Sequence, residues 1–347
     1  MTEKAVLEAG GLTPWLGAIA AQTRLMAPVK RGRVSFAFSW IEDAAAARLD
    51  HLRTILPPKQ AFLPPREDLV TLQKSSLQAS PVQETDPFVL FGVHPCDLTA
   101  INLLTWSMLE RHQVEDPAFR ARRQAATIVA VDCLPDKYCF CTSVGSDRTR
   151  EGADAFMTPV EGGWVVEALT DKGAALLKSA RVRAATEAEL AAAAAWPEEK
   201  ARRQLLRLEA EPAELPALFE RHYDSPVWER TAERCYSCGT CTNVCPTCFC
   251  FDVVENPDLH LTTATRRRLY DSCQFLDFAL VAGGHNFRGQ RPDRVRHRWF
   301  RKFVYLNQEK QTPFCVGCGR CSQQCTAGIS LVDVINSVVL EAKEGVA

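Results

Sequence analysis

Two cysteine strings carry the chemistry of this chain: Cys235-x-x-Cys238-x-x-Cys241-x-x-x-Cys245-Pro246, and Cys315-x-x-Cys318-x-x-Cys321-x-x-x-Cys325. Thiolate is a soft ligand, and four thiolates at this tight spacing suit a [4Fe-4S] cube, which a short loop can wrap with three of its sulfurs. In both copies a glycine follows the second cysteine (Gly239, Gly319). Without a Cβ it lets the backbone turn sharply and bring amide N–H groups toward sulfur. Structural zinc sites are built from separate C-x-x-C pairs, so two identical four-cysteine runs favour iron–sulfur cubes.

Where two such strings share a chain, the fourth cysteine of each serves the other's cluster. One cube then takes Cys235, Cys238, Cys241 and Cys325, and the other Cys315, Cys318, Cys321 and Cys245. Pro246 after the first string fits the ferredoxin pattern, whereas Thr326 after the second departs from it without removing a ligand.

The elements in the first half place a third set. Residues 88–93 and 126–131 are continuous apolar runs, as expected of strands buried on both faces. Between them, residues 98–109 have apolar positions at helical spacing, with Asp97 as the expected N-cap. A strand–helix–strand unit implies parallel strands, and ligands gather beyond the carboxyl ends of such strands. Cys96 and Cys133 lie just past those ends, and Cys139-Phe-Cys141 follows. An extended segment would project both of its thiols from one face. Cys96, Cys133, Cys139 and Cys141 are therefore expected to hold a third [4Fe-4S] cube, with zinc as the alternative occupant. Cys248, Cys250 and Cys273 remain. With one non-cysteine ligand they could hold a fourth cluster, pack around the others, or replace a ligand in the crosswise scheme.

Further strands are expected at 34–40 and 164–168, a helix at 172–179, and prolines at 57–58 and 64–65 bar regular helix between them. Residues 186–219, rich in Ala, Glu, Leu and Arg, read as exposed helices. The predicted architecture is an α/β domain with parallel strands (1–185), a helical bridge (186–230) and a mostly helical ferredoxin-type domain (231–347) with a basic insert (246–314).

A chain of 347 residues, 46% apolar and 24% charged, has room for two or three cores. The net charge of -1 gives no general case for nucleic acid or membrane binding. Glu3, Glu8 and Pro14 disfavour a secretion signal, and no window approaches the ~20 apolar residues of a spanning helix. Fifteen cysteines in a chain without such a signal point to metal ligation in a reducing cytoplasm. No G-x-G-x-x-G occurs, which disfavours a Rossmann-type nicotinamide or flavin site. No nucleophile–base pair, G-x-S-x-G or H-E-x-x-H is found either, so no catalytic residue is assigned. Between Arg266 and Lys302 stand ten Lys or Arg against three Asp. The default reading is a solvated face; the functional one is compensation of cluster charge and docking of an acidic redox partner. His285 and His297 are expected in structural or surface roles.

Four segments, residues 91–97 (FGVHPCD), Cys133…Cys139-Phe-Cys141, Cys245-Pro-Thr-Cys-x-Cys250 and residues 282–288 (AGGHNFR), together resemble the iron–sulfur beta subunit of cytoplasmic [NiFe] sulfhydrogenases. They are equally similar to the A-type iron–sulfur subunit of anaerobic sulfite reductase. The resemblance implies an electron-transfer subunit between a partner that binds FAD and NAD(P) and a catalytic partner. That catalytic partner is the small/large subunit pair of a [NiFe] hydrogenase or, alternatively, a sirohaem subunit. It also implies that the four N-terminal cysteines hold a cluster. A non-redox protein with structural iron–sulfur or zinc sites is the reading from a different class.

Overall fold

The computed structural model describes residues 4–82 and 86–345. Its larger sheet has eight strands: β1 (Lys4–Glu8), β2 (Arg24–Arg31), β3 (Ser35–Ile41), β6 (Phe88–Val93), β7 (Ala126–Val131), β8 (Ala155–Val160), β9 (Gly163–Ala168) and β10 (Val182–Ala184). They lie side by side in the order β10-β1-β9-β8-β7-β6-β2-β3. β2, β6, β7 and β8 run parallel, and the flanking strands pair antiparallel. The parallel pair expected at 88–93 and 126–131 is therefore present as β6 and β7.

Both of these strands are covered on both faces. Phe88, Leu90, Ala126, Ile128 and Ala130 pack with Leu98, Ile101 and Leu104 of the helix Pro95–Thr105. Val89, Phe91, Val129 and Val131 pack on the other face with Trp15, Leu16 and Ile19 of the helix Leu12–Ala20. Continuous apolar runs are what a strand needs when neither face meets water.

The expected start of the helix after β6 needs correction. Helix geometry begins at Pro95 with His94 as N-cap, so Asp97 lies in the first turn. Proline is preorganised for the first helical position, which frees Asp97 for another task. That task is a buried, bidentate ion pair with Arg320, at 2.6 and 2.7 Å.

The second sheet holds β4 (Arg66–Gln73), β5 (Gln78–Pro81), β11 (Phe251–Pro257) and β12 (Thr263–Tyr270), in the order β11-β12-β4-β5. It joins segments from both sides of the 186–230 stretch. Buried Glu67 ties it together, accepting from Arg122 at 2.5 Å and from Arg268 at 2.6 Å. The C-terminal core is helical. Leu215, Phe219, Trp228, Trp299, Phe300, Phe303, Ile335 and Val338 pack from five helical segments, and Phe140 and Val144 from the first half enter the same core. Within 186–219, the helix Glu187–Ala194 buries no residue, but Lys200, Leu215 and Phe219 are buried. Part of that stretch is therefore core rather than an exposed bridge.

Candidate metal centres

Each cysteine string folds into a loop and one short helical turn, Thr240–Asn243 in the first and Arg320–Gln323 in the second. The glycine before each turn has a left-handed backbone, φ +73° at Gly239 and +74° at Gly319. An L side chain is disfavoured there by ~1–2 kcal/mol. Space is restricted as well. A Cβ on Gly239 would lie 2.7 Å from the Phe275 ring, and one on Gly319 would lie 2.5 Å from the Tyr138 carbonyl oxygen. Gly317, one residue before Cys318, also has positive φ and would place a Cβ 2.5 Å from the Cys141 backbone nitrogen. Glycine thus lets a second cysteine-bearing loop seat directly on each string.

The sulfur atoms line two cavities. The first is bounded by Cys235, Cys238, Cys241, Cys321 and Cys325. The second is bounded by Cys245, Cys315, Cys318 and Cys321. Cys325 therefore sits with the first string and Cys245 with the second, the crosswise grouping expected from the spacing. Among the described residues, no three His, Cys, Asp or Glu side chains converge as a single metal ion would require.

Charge and hydrogen bonding around the cavities suit an anionic occupant. Lys59, Arg298 and Lys302 are buried. The Lys59 ammonium donates to the Cys248 carbonyl at 2.6 Å, and Lys302 to Thr247 Oγ1 at 2.6 Å and the Phe314 carbonyl at 3.0 Å. Burial works against the Lys302 charge, but Cys245, Cys248 and Cys315 more than offset it and raise its pKa. At Lys59, burial wins and the pKa is lowered, although Cys248 and Cys245 oppose the shift. Arg298 Nε and Nη2 and Trp299 Nε1 are buried without a partner, and both residues line the first cavity. Buried donors and cations facing thiols are costly unless negative charge lies between them. The donor set thus fits thiolate-ligated clusters.

The N-terminal four also gather. Cys96 follows Pro95 at the start of its helix, and Cys133 lies two residues past β7. The four thiols are close enough for mutual repulsion. Cys96 is pushed well up, first by burial and then by neighbours including Cys133 and Cys141, and Cys133 is pushed well up by burial with Cys141 and Cys139 among its neighbours. Burial, then Cys139, pushes Cys141 up to about 12. Such thiols stay protonated unless a metal claims them. Cations stand beside them: Arg53 Nη2 lies 3.4 Å from Cys139 Sγ and pairs with Asp136, while Lys200 pairs with Asp132 next to Cys133. The expected extended Cys139–Cys141 segment is not found. Cys139 follows a turn at residues 137–138, its N–H donating to the Asp136 carbonyl at 3.2 Å, and Cys141 opens a 3-10 turn over Cys141–Val144. The close backbone approach of Gly317, whose carbonyl accepts from Phe140 N at 2.8 Å, bends the segment.

Cys248, Cys250 and Cys273 lie together beside the second cavity. The Cys250 thiol is in hydrogen-bond contact with Cys273, which is the main reason its pKa drops to about 6, with Arg301 and Lys302 assisting. Cys248 makes the same kind of contact with Cys245. The insert is not simply a solvated face: Arg268, Arg294, Arg298 and Lys302 are buried. His285 sits edge-on to Phe287, and burial pushes partly buried His297 down to about 4. The buried cations are invisible to composition, which reads Lys and Arg as surface. The one clue in the sequence is Arg298 and Lys302 at i, i+4 on a helix that also carries Val295 and Trp299, so that cations share a face with apolar residues.

Cys96 and Cys318 interact electrostatically, Phe140 lines the second cavity, and Cys321 and Arg298 border both cavities. Residues 234–329 match the model of a family described as a 4Fe-4S dicluster domain. The chain is also similar to Sulfhydrogenase 2 subunit beta of Pyrococcus furiosus, 37% identical over 318 residues, covering 91% of this chain and 92% of the relative. The chain belongs to the sulfhydrogenase beta-subunit family. The relative is by name a beta subunit of a sulfhydrogenase, and the dicluster match supports [4Fe-4S] clusters in this chain. No solved structure matches. Among the described residues, no helix is long and apolar enough to cross a membrane.

Proposed function

We propose that this chain relays electrons through three [4Fe-4S] centres in a cytoplasmic complex, between an FAD/NAD(P)-binding partner subunit and the small/large subunits of a [NiFe] hydrogenase. What supports the reading is the pair of adjoining cysteine-lined cavities, which share Cys321 and Arg298, with Cys96 near enough to Cys318 to feel its charge. On this reading the centres take Cys96, Cys133, Cys139 and Cys141; then Cys245, Cys315, Cys318 and Cys321; then Cys235, Cys238, Cys241 and Cys325. Bound clusters would supply one-electron chemistry; the protein supplies thiolates, burial and compensating charge. Lys200 and Arg53 serve the first site, Lys59 and Lys302 the second, and Arg298 the second and third. Exposed Cys238 and Tyr236 bring the third site to the surface, where a partner's redox group can approach. In this division residues 1–185 carry one centre, 186–230 link, and 231–347 carry two.

The test is anaerobic purification with iron counting. About twelve irons per chain fit three cubes, and about sixteen would add a fourth on Cys248, Cys250 and Cys273. Cys96→Ser should remove about four irons and spare the dicluster pair; an unchanged count would refute the N-terminal site. Nickel in the purified complex supports the hydrogenase partner, whereas sirohaem absorbance would replace it with a sulfite reductase.

A further inference from the structure

Among the described buried arginines, Arg298 differs in having no carboxylate or carbonyl partner. Single nitrogens of Arg53, Arg122, Arg268 and Arg294 lack a hydrogen-bond partner too, but each of those residues has a carboxylate or carbonyl partner, Arg53 on Asp136 included. Arg122 and Arg268 share Glu67, Arg320 is clamped on Asp97, and Arg294 donates to the Arg288 and Gly289 carbonyls at 2.9 and 2.8 Å. Arg298 is only 4% exposed, and its Nε and Nη2 have no partner. Its guanidinium rests over the Trp299 ring at 4.9 Å and lines both dicluster cavities. The groups facing its charge are the thiols of Cys241, Cys321, Cys248 and Cys245. A guanidinium stays protonated under all ordinary conditions and carries five N–H donors in a rigid fork. Leaving two of these buried and unmatched is costly unless they point at something that accepts them. The residue that does this also stands on the wall between two sites whose occupants are anionic.

We infer that Arg298 is a shared potential-setting residue, a fixed cation and hydrogen-bond donor that holds the reduction potentials of both dicluster centres up. The inference rests on the reading of the two cavities as cluster sites and goes beyond it. A cation favours the reduced, more negative state of each centre, and hydrogen bonding toward sulfur acts in the same direction. Because one side chain serves both centres, its loss must move both potentials together. A residue that only filled space would move neither while iron remained bound.

The experiment is an EPR-monitored redox titration of the anaerobic full-length protein, with Arg298→Gln and Arg298→Met compared with wild type. Iron and sulfide are counted in the same samples. The expected result is unchanged iron, with both midpoint potentials displaced downward by at least tenfold in the reduction equilibrium, which is 59 mV for a one-electron couple. Arg298→Lys, which keeps the charge but loses the fork, should fall between. Unshifted potentials, or a shift at one centre only, would overturn the inference, as would loss of iron from the dicluster pair in both neutral variants. Wild-type protein without iron would sink the cluster reading itself, and that failure is distinguishable from the others.

Discussion

Replacing Gly319 by alanine tests how the first half of the chain seats on the second cysteine string. Two costs arise. The left-handed backbone, φ +74°, penalises any L side chain by ~1–2 kcal/mol. The added methyl would also sit 2.5 Å from the Tyr138 carbonyl oxygen and 2.7 Å from its carbonyl carbon, forcing the 138–141 loop outward. Overpacking of this kind costs about 1–3 kcal/mol. Gly145 separates the two costs, because it has φ +68° with nothing within 4 Å of an added Cβ. Gly145→Ala should therefore lose about 1–2 kcal/mol, and Gly319→Ala about 2–5 kcal/mol. The displaced loop carries Cys139 and Cys141, so Gly319→Ala should also lose about four irons while Gly145→Ala keeps its full count. Anaerobic denaturant unfolding and iron analysis of the two variants side by side provide the readout. Equal stability and equal iron would refute the described contact between Tyr138 and the second string.

Three further outcomes are expected. Arg320→Met leaves Asp97 buried without its partner and the Thr54 carbonyl without its donor, and should destabilise by about 3–5 kcal/mol, whereas the double variant Asp97→Leu/Arg320→Met should recover the part due to the unpaired carboxylate in denaturant unfolding; no recovery would refute the buried charge as the main cost. Burial depresses His51, stacked on His94 at 4.4 Å, to about 4. The neutral form therefore supports the fold above pH ~6.5, and stability falls as pH drops from there through 4, by on the order of 3 kcal/mol; His51→Gln should flatten that acid slope, and an unchanged slope would count against it. Chelating the iron at neutral pH should lower the melting midpoint by leaving Lys59, Arg298 and Lys302 buried without counter-charge. Lys302→Met should narrow the gap between holo and apo midpoints.

The parallel strands β6 and β7 are legible in the sequence because burial on both faces demands unbroken apolar runs, and the dicluster motif is legible because ligand spacing is itself a geometric constraint. Asp97 reads wrongly as a cap because a carboxylate near a helix start has two uses, and sequence does not reveal that Arg320, 223 residues away, claims it. The shape of the Cys139–Cys141 segment is not legible in the sequence, because nothing local announces the Gly317 backbone lying against it. Lys59, Lys200 and Arg298 escape a sequence reading for a related reason. Cations are read as surface residues by default, and only the tertiary placement of thiols beside them explains their burial.

The four-stranded sheet makes the order of biosynthesis matter. β4 leaves the ribosome long before β12, yet the two are neighbours, and Arg267 reaches back 199 residues to Asp68. Until the hairpin emerges, the nascent chain presents an open strand edge, and Glu67 lacks one of its two arginines. The loop bearing Cys139 and Cys141 must likewise wait for Gly317 and Gly319. Closure of the loop that carries Cys139 and Cys141 is thereby timed by completion of the carboxyl-terminal segment rather than by synthesis of that loop itself.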